Sequence, residues 1–159
     1  MKRIVQILLI CWLLMPAITV SAEECTEVPE EVIIMSEELG YEYGICPEIL
    51  QAIAWRESRF KATADNMGCV GMMQIAPQWH QERMAKLGVT DLYNPYQSMK
   101  VAADYLSELH SQYQDIAVSL MVYNGDSSYK EVLDGTGEIS AYAEDILELS
   151  AQLEVEHGK

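Results

Sequence analysis

The sequence predicts a mainly α-helical domain of five or six helices, with one irregular, hairpin-like insertion after the second. Three observations carry this. Apolar residues recur at helical 3-4 spacing over most of the chain beyond residue 28. Proline or glycine stands where those stripes start and stop. Residues 61–75, with Gly68 and Gly71 among small and polar neighbours, lose the stripe and read as a loop or short hairpin.

The first helix spans 29–39, with Pro29 at its first position, Val32, Ile33 and Met35 as apolar surface, and Gly40 as its stop. The second spans 47–60 and starts on Pro47 in the same way. After the 61–75 insertion, a helix over 77–87 closes at Gly88. Asn94-Pro95 is a cap followed by a first-turn proline, and Met99, Ala102, Leu106, Leu109 and Tyr113 follow on one face. Residues 115–123 are apolar nearly all round and predict a central buried helix. Residues 124–138 are rich in turn formers. A last helix over about 139–155 carries Ile139, Tyr142, Ile146, Leu149 and Leu153 on one face. No internal repeat and no linker divides the chain.

The chain has 159 residues, with 10 Lys and Arg against 25 Asp and Glu, for a formal net charge of −15. A surface this acidic excludes a nucleic-acid partner, because phosphate backbones are held by surplus Lys and Arg. Half the residues are apolar and 22% are charged, a globular composition that excludes disordered and collagen-like classes.

Residues 1–22 have the layout of a secretory signal peptide. Lys2 and Arg3 precede an apolar run from Ile4 to Val20, and Val20-Ser21-Ala22 places small residues at a cleavage site. Pro16 and Gln6 interrupt the run, which is short for a membrane-spanning helix. The expectation is cleavage after Ala22, a single domain over 23–159, and a secreted, extracytoplasmic protein. Export leaves Cys25, Cys46 and Cys69, so one disulfide and one free thiol is the simplest arrangement, and three pairings are open. No Cys-x-x-Cys is present, and His80, His110 and His157 show no ligand spacing. The sequence therefore gives no metal and no cofactor.

The informative helix is 47–60. At 100° per residue, Cys46, Ile49, Leu50, Ile53 and Phe60 share one face, and Glu57 falls in the middle of it. Glu48, Gln51, Trp55, Ser58 and Arg59 fall on the other side. A carboxyl in an apolar stripe is either paired with a cation or kept protonated by a raised pKa. The first alternative is structural. The second is how a general acid for glycosidic cleavage is built.

The neighbouring residues bear on that choice. Glu57-Ser58-Arg59-Phe60, then Gly68-Cys69-Val70-Gly71-Met72-Met73-Gln74-Ile75, then Val122-Tyr123-Asn124-Gly125 resemble the lytic transglycosylase family with the soluble lytic transglycosylase (SLT) type of catalytic domain. That family belongs to the lysozyme-like superfamily, and the likeness extends through most of residues 42–126. It implies a lysozyme-like α+β fold and a peptidoglycan substrate. The implied reaction is cleavage of the β-1,4 bond between N-acetylmuramic acid and N-acetylglucosamine, with closure of a 1,6-anhydro ring. Glu57 matches the single catalytic acid/base. Met73 and Gln74 match residues lining the saccharide cleft. Tyr123 matches a tyrosine whose hydroxyl lies near the acid, and Asn124 the turn presenting it. Ser58 and Gly71 match structural positions beside the site.

Several departures stand out, among them Val122 in place of an Ala in the third motif. Met72 replaces Leu, Cys69 replaces a small Ala, and Asp126 stands where a second Gly is expected in the third motif. A serine of the family pattern has no match; Asp65 or Asn66 stands there. Goose-type lysozymes, on the same fold, tie a Cys near the start of this helix to the N-terminal arm, which implies Cys25 as partner of Cys46. Cys69 is the other candidate, in the loop that returns toward the helix. Those lysozymes are hydrolytic muramidases and use a further acidic residue to position water, including one just after the Met-Gln-Ile segment. Here that position is Ala76, although Asp65 or Asp91 offers a carboxylate. A catalytically idle wall-binding or assembly protein is the third reading, against which Glu57, Gln74 and Tyr123 stand together. Trp79, Tyr93 and Tyr96 either stack on sugar rings or pack the cleft wall. Participation in a secretion or conjugation apparatus has no signature in the sequence.

Overall fold

In the computed structural model, which describes residues 27–159, seven α-helices are accompanied by a two-stranded hairpin between the second and third helices. The expected leader, its cleavage site and Cys25 lie outside the described residues. The helices are α1 Glu30–Tyr43, α2 Pro47–Ser58, α3 Gln81–Leu87, α4 Pro95–Tyr113, α5 Ile116–Tyr123, α6 Tyr129–Leu133 and α7 Ala141–Glu156. The strands β1 Asp65–Asn66 and β2 Cys69–Val70 pair antiparallel. Among the described residues no helix is long and apolar enough to cross a membrane.

Local chemistry sets the helix starts. Pro47 and Pro95 open α2 and α4, where a missing N–H has no partner to lose. Asn94, Asp115 and Ser140 each accept a backbone N–H of the first turn, at 3.0, 3.1 and 3.4 Å respectively. Such caps contribute about 1 kcal/mol each.

One expected stop moves. Helix α1 runs through Gly40 and ends at Gly44, whose φ of 67° is the left-handed turn that glycine tolerates. Gly40 serves packing instead. A Cβ there would stand 2.6 Å from the Ile45 carbonyl oxygen, where the chain doubles back into α2. The turn-rich stretch also differs from expectation, since it contains α6. Asp126 Oδ1 accepts the backbone N–H of Ser128 at 2.9 Å and its hydroxyl at 2.7 Å, an Asx turn that leads into this helix. Ile139 lies outside α7 and is 38% exposed, so the buried stripe of that helix begins at Tyr142.

Helix α2 packs against α1, α4 and α7. That surround explains why two residues assigned to its polar side, Glu48 and Gln51, are buried. Gln51 donates to Ser36 Oγ at 2.8 Å, and Ser36 in turn donates to the Ile33 carbonyl at 2.9 Å. Glu48 is met by the end of the chain, with Lys159 Nζ at 2.7 Å and His157 Nδ1 at 2.9 Å. Burial alone would raise the Glu48 carboxyl. The bonds from Lys159, His157 and Cys46 together outweigh it and hold the group at about 2.

Helices α2 and α7 run antiparallel and are held at both ends. Arg56 and Glu57 meet Asp145 and Tyr142 at one end. At the other, Cys46 and Glu48 meet Glu154, His157 and Lys159. Between them Leu50, Ile53 and Ile146 are fully buried, in a core shared with Met72, Met73, Met99, Leu106, Leu120 and Met121. Each such side chain contributes about 1.5–3 kcal/mol of transfer free energy.

Candidate active site

Glu57 sits in the last turn of α2, half-buried. Desolvation pushes its carboxyl above the ordinary carboxylate range. The Tyr142 hydrogen bond and the Arg56 charge pull the other way without offsetting it. Tyr142 Oη donates to Glu57 Oε1 at 2.6 Å. Burial and the nearby Glu57 charge drive the Tyr142 hydroxyl far up, so it stays a donor. With Oε1 occupied as an acceptor, Oε2 is the oxygen left to carry a proton when the group is neutral. Arg56 lies 3.2 Å from Asp145 and 5.7 Å from the centre of the Tyr142 ring, fixing the ring from outside.

The backbone after the acid is tightly turned. Arg59 and Phe60 have φ of 55° and 62°, in the left-handed region that non-glycine residues seldom occupy. Arg59 Nη1 donates to the Trp55 carbonyl at 2.8 Å, and its guanidinium lies 4.1 Å from the Trp55 ring centre. Those contacts stabilise a conformation that costs on the order of 1–3 kcal/mol per residue.

The segment 71–74 is stitched to three helices through its backbone. Ser58 Oγ donates to the Met72 carbonyl at 2.8 Å, tying the end of α2 to it. The Met73 N–H donates to Ser98 Oγ of α4 at 3.2 Å, and the Met73 carbonyl accepts from Tyr123 Oη of α5 at 2.9 Å. Met73 was expected to line the cleft. Its side chain is fully buried in the core, because its neighbours fix the backbone and turn the thioether inward. Gln74 has φ 46°, and its Nε2 donates back to the Gly71 carbonyl at 2.9 Å.

A cavity of ≈ 510 Å³ adjoins this segment, a size typical of ligand clefts. Gln74, Ala76, Trp79, Tyr105, Tyr123 and Asn124 line it, and Glu57 is not among its lining residues. Tyr123 connects the two. It lines the cavity, and burial together with the Glu57 charge keeps its hydroxyl protonated. That hydroxyl bonds to the Met73 carbonyl, while the hydrogen bond to the acid comes from Tyr142.

Tyr105 stacks 5.8 Å from Tyr123, with the His80 ring at 4.7 Å and the Arg83 guanidinium at 4.9 Å. Arg83 is itself bound by Asp104 and Glu108. Of the three aromatics weighed from sequence, Trp79 stands at the cavity with 82% of its surface exposed. Tyr93 and Tyr96 turn to Asp65 and Glu38, at 3.1 and 2.8 Å.

Cys46 and Cys69 are not joined to each other; both are free thiols among the described residues. Cys69 is in β2 and lines the cavity, whereas Cys46 caps α2 and faces Glu48 and Glu154 at 3.1 and 3.3 Å. The two thiols belong to different sites.

Sequence reading missed Tyr142 as a site residue, placing it only on a core stripe. A usable signal was present: a buried tyrosine carries a hydroxyl that needs a partner, and Glu57 was the carboxyl in want of one. Tyr142→Phe removes that donor. The Glu57 carboxyl then moves still higher, so the alkaline limb of the pH–rate profile shifts upward. The lost bond to a charged group, about 1.5–3 kcal/mol, corresponds to roughly a 10- to 100-fold slower reaction. An unchanged profile would assign Tyr142 to packing alone.

An acid raised by desolvation thus stands near a tyrosine-walled cleft on a mainly α fold. Residues 34–141 match the Transglycosylase SLT domain, and the chain belongs to that family. It is similar to the transglycosylase of Enterobacteria phage PRD1, 28% identical over 88 residues, or 55% of this chain and 32% of that protein. In fold it is similar to the crystal structure of an inactive mutant of the lytic transglycosylase Slt from Pseudomonas aeruginosa. The TM-score is 0.71 at 20% identity, over 82% of this chain and 25% of that one. The chain thus spans about a third of one relative and a quarter of the other.

Proposed function

We propose that the protein is a peptidoglycan lytic transglycosylase acting outside the cytoplasm, where its substrate lies. The observation that carries this is a half-buried acid, raised by desolvation, with one oxygen committed to Tyr142 and, among the described residues, no carboxylate among its hydrogen-bond partners. Protonated Oε2 donates to the oxygen bridging N-acetylmuramic acid and N-acetylglucosamine, and the bond to the muramic acid C1 breaks. Glu57, now a carboxylate, takes the proton of the same sugar's C6 hydroxyl as that oxygen closes on C1. The acid is regenerated and no water enters. The nucleophile belongs to the reacting sugar, so its effective concentration is very high.

Hydrolysis would call for a second carboxylate to position water. The two acidic residues considered from sequence are both engaged by Tyr93, Asp65 through its hydroxyl at 3.1 Å and Asp91 through its backbone N–H at 2.9 Å. Gln74, Tyr123 and Asn124 contribute to the saccharide cleft, while Ser58 and Gly71 hold its floor.

Mass analysis of products from purified peptidoglycan tests the reading. The expected muropeptides end in 1,6-anhydro-N-acetylmuramic acid and are lighter by one water than hydrolysis products. Reducing ends alone would identify a muramidase, and intact glycan a binding protein.

A further inference from the structure

The end of the α2/α7 pair remote from Glu57 gathers metal-ligating chemistry that the catalytic reading does not use. Cys46 Sγ lies 3.1 Å from Glu48 Oε2 and 3.3 Å from Glu154 Oε1. His157 Nδ1 lies 2.9 Å from Glu48 Oε1. The ligand atoms of Cys46, Glu48 and Glu154 all fall within 4.8 Å of one another. We propose that Cys46, Glu48, Glu154 and His157 form a binding site for a zinc-class divalent cation, which clasps the start of α2 to the end of α7.

The composition of the cluster separates it from a patch of surface acids. Glu48 has only 1% of its side chain exposed and opens the stretch of α2, through Ala54, that is buried throughout. One sulfur, one imidazole nitrogen and two carboxylates are a ligand set that suits zinc and disfavours calcium or magnesium, which want oxygen alone.

The spacing agrees. Zn–S near 2.3 Å and Zn–N or Zn–O near 2.0–2.1 Å put tetrahedral ligands about 3.3–3.6 Å apart. The Cys46–Glu48 and Cys46–Glu154 pairs, at 3.1 and 3.3 Å, need to open by only a few tenths of an ångström; His157, bonded to the other Glu48 oxygen, must swing inward to become the fourth ligand.

Charge balance agrees as well. A thiolate, two carboxylates and a neutral imidazole sum to −3, and a divalent ion leaves −1. Lys159, whose Nζ is 2.7 Å from Glu48 and whose side chain is 46% exposed, supplies the last positive charge from outside and can move aside. Sequence spacing hid the site because Cys46 and Glu154 are 108 positions apart. The site does not depend on the glycan reaction, since its residues lie at the opposite end of the helix pair from Glu57.

The test uses the full chain, reduced and freed of metal by a chelator, then titrated with Zn²⁺ and separately with Co²⁺. Expected are one zinc retained per chain after dialysis, a thiolate-to-cobalt charge-transfer band, and a higher melting temperature with zinc. Cys46→Ser should abolish the band and the thermal shift, Cys69→Ser should retain both, and His157→Ala should weaken zinc binding 10-fold or more. Neither Cys46 nor His157 is fully buried, so these variants should fold, as the unliganded melting curve will show. Failure to retain zinc, a band that survives Cys46→Ser, or recovery of Cys46 in a disulfide with Cys25 overturns the proposal. Mass analysis of glycan products is unaffected by any of these outcomes, so the reaction stands or falls separately.

Discussion

Glu57→Gln lowers peptidoglycan cleavage by about 100-fold or more, the order expected when general acid–base help is lost, while the fold is retained. Gln keeps the size and the acceptor oxygen that Tyr142 meets at 2.6 Å, and loses only the proton. The same variant changes stability in a defined direction. Desolvation raises the folded-state carboxyl above its unfolded value. The acid's contribution is therefore complete below the unfolded carboxyl pKa and is lost as pH rises through the folded one. Gln does not titrate, so the variant's melting temperature should gain on the parent's as pH increases from about 4 to neutrality. Full activity in the variant would remove Glu57 from the chemistry. A melting difference independent of pH would mean that the carboxyl is not held neutral by burial.

Gly71→Ala has the largest structural effect. Gly71 has φ 80°, and a Cβ there would lie 2.0 Å from the Leu92 carbonyl oxygen and 2.9 Å from Ser98 Oγ. The first is a backbone atom and cannot rotate away. The second is the hydroxyl that receives the Met73 N–H. Overpacking and left-handed strain together predict a loss of about 3–5 kcal/mol. Activity should fall with it, because residues 71–74 carry the bonds to Ser58, Ser98 and Tyr123. Gly68→Ala is the matched control: φ is 88°, but nothing stands within 4 Å of the added Cβ. It should lose only about 1 kcal/mol. Urea denaturation of both separates the effects, and equal losses would show that the close approach at Leu92 is unimportant.

The helices were legible where proline, caps and a stripe agreed, as at Asn94-Pro95 and along Met99, Ala102, Leu106 and Leu109. Legibility failed where neighbours decided the outcome. Helix α6 is five residues long and too short to show a period; its start depends on the Asp126–Ser128 turn. Glu48 and Gln51 look polar and outward until α1, α4 and α7 are placed around α2. Gly40 and Gly44 both look like stops, and only the close approach of Ile45 distinguishes them. Within the site, Glu57 was visible because a carboxyl interrupts an apolar stripe. Tyr142 was not, because its stripe looks complete without its hydroxyl. The placement of Met73 was invisible to sequence, since its backbone bonds to Ser98 and Tyr123 link positions far apart in the chain.

The bond between Glu57 and Tyr142 joins residues 85 positions apart, so the acid's surroundings are completed late in synthesis. Synthesis delivers the N-terminal part first. Residues 34–124, with Glu57, Gln74 and Tyr123, are complete before α7 exists. Until that helix docks, α2 lacks its α7 partner and Glu57 lacks its Tyr142 donor. On the proposed reading the final helix completes the acid: a truncated chain would carry all three sequence motifs without the donor that fixes Glu57 Oε1.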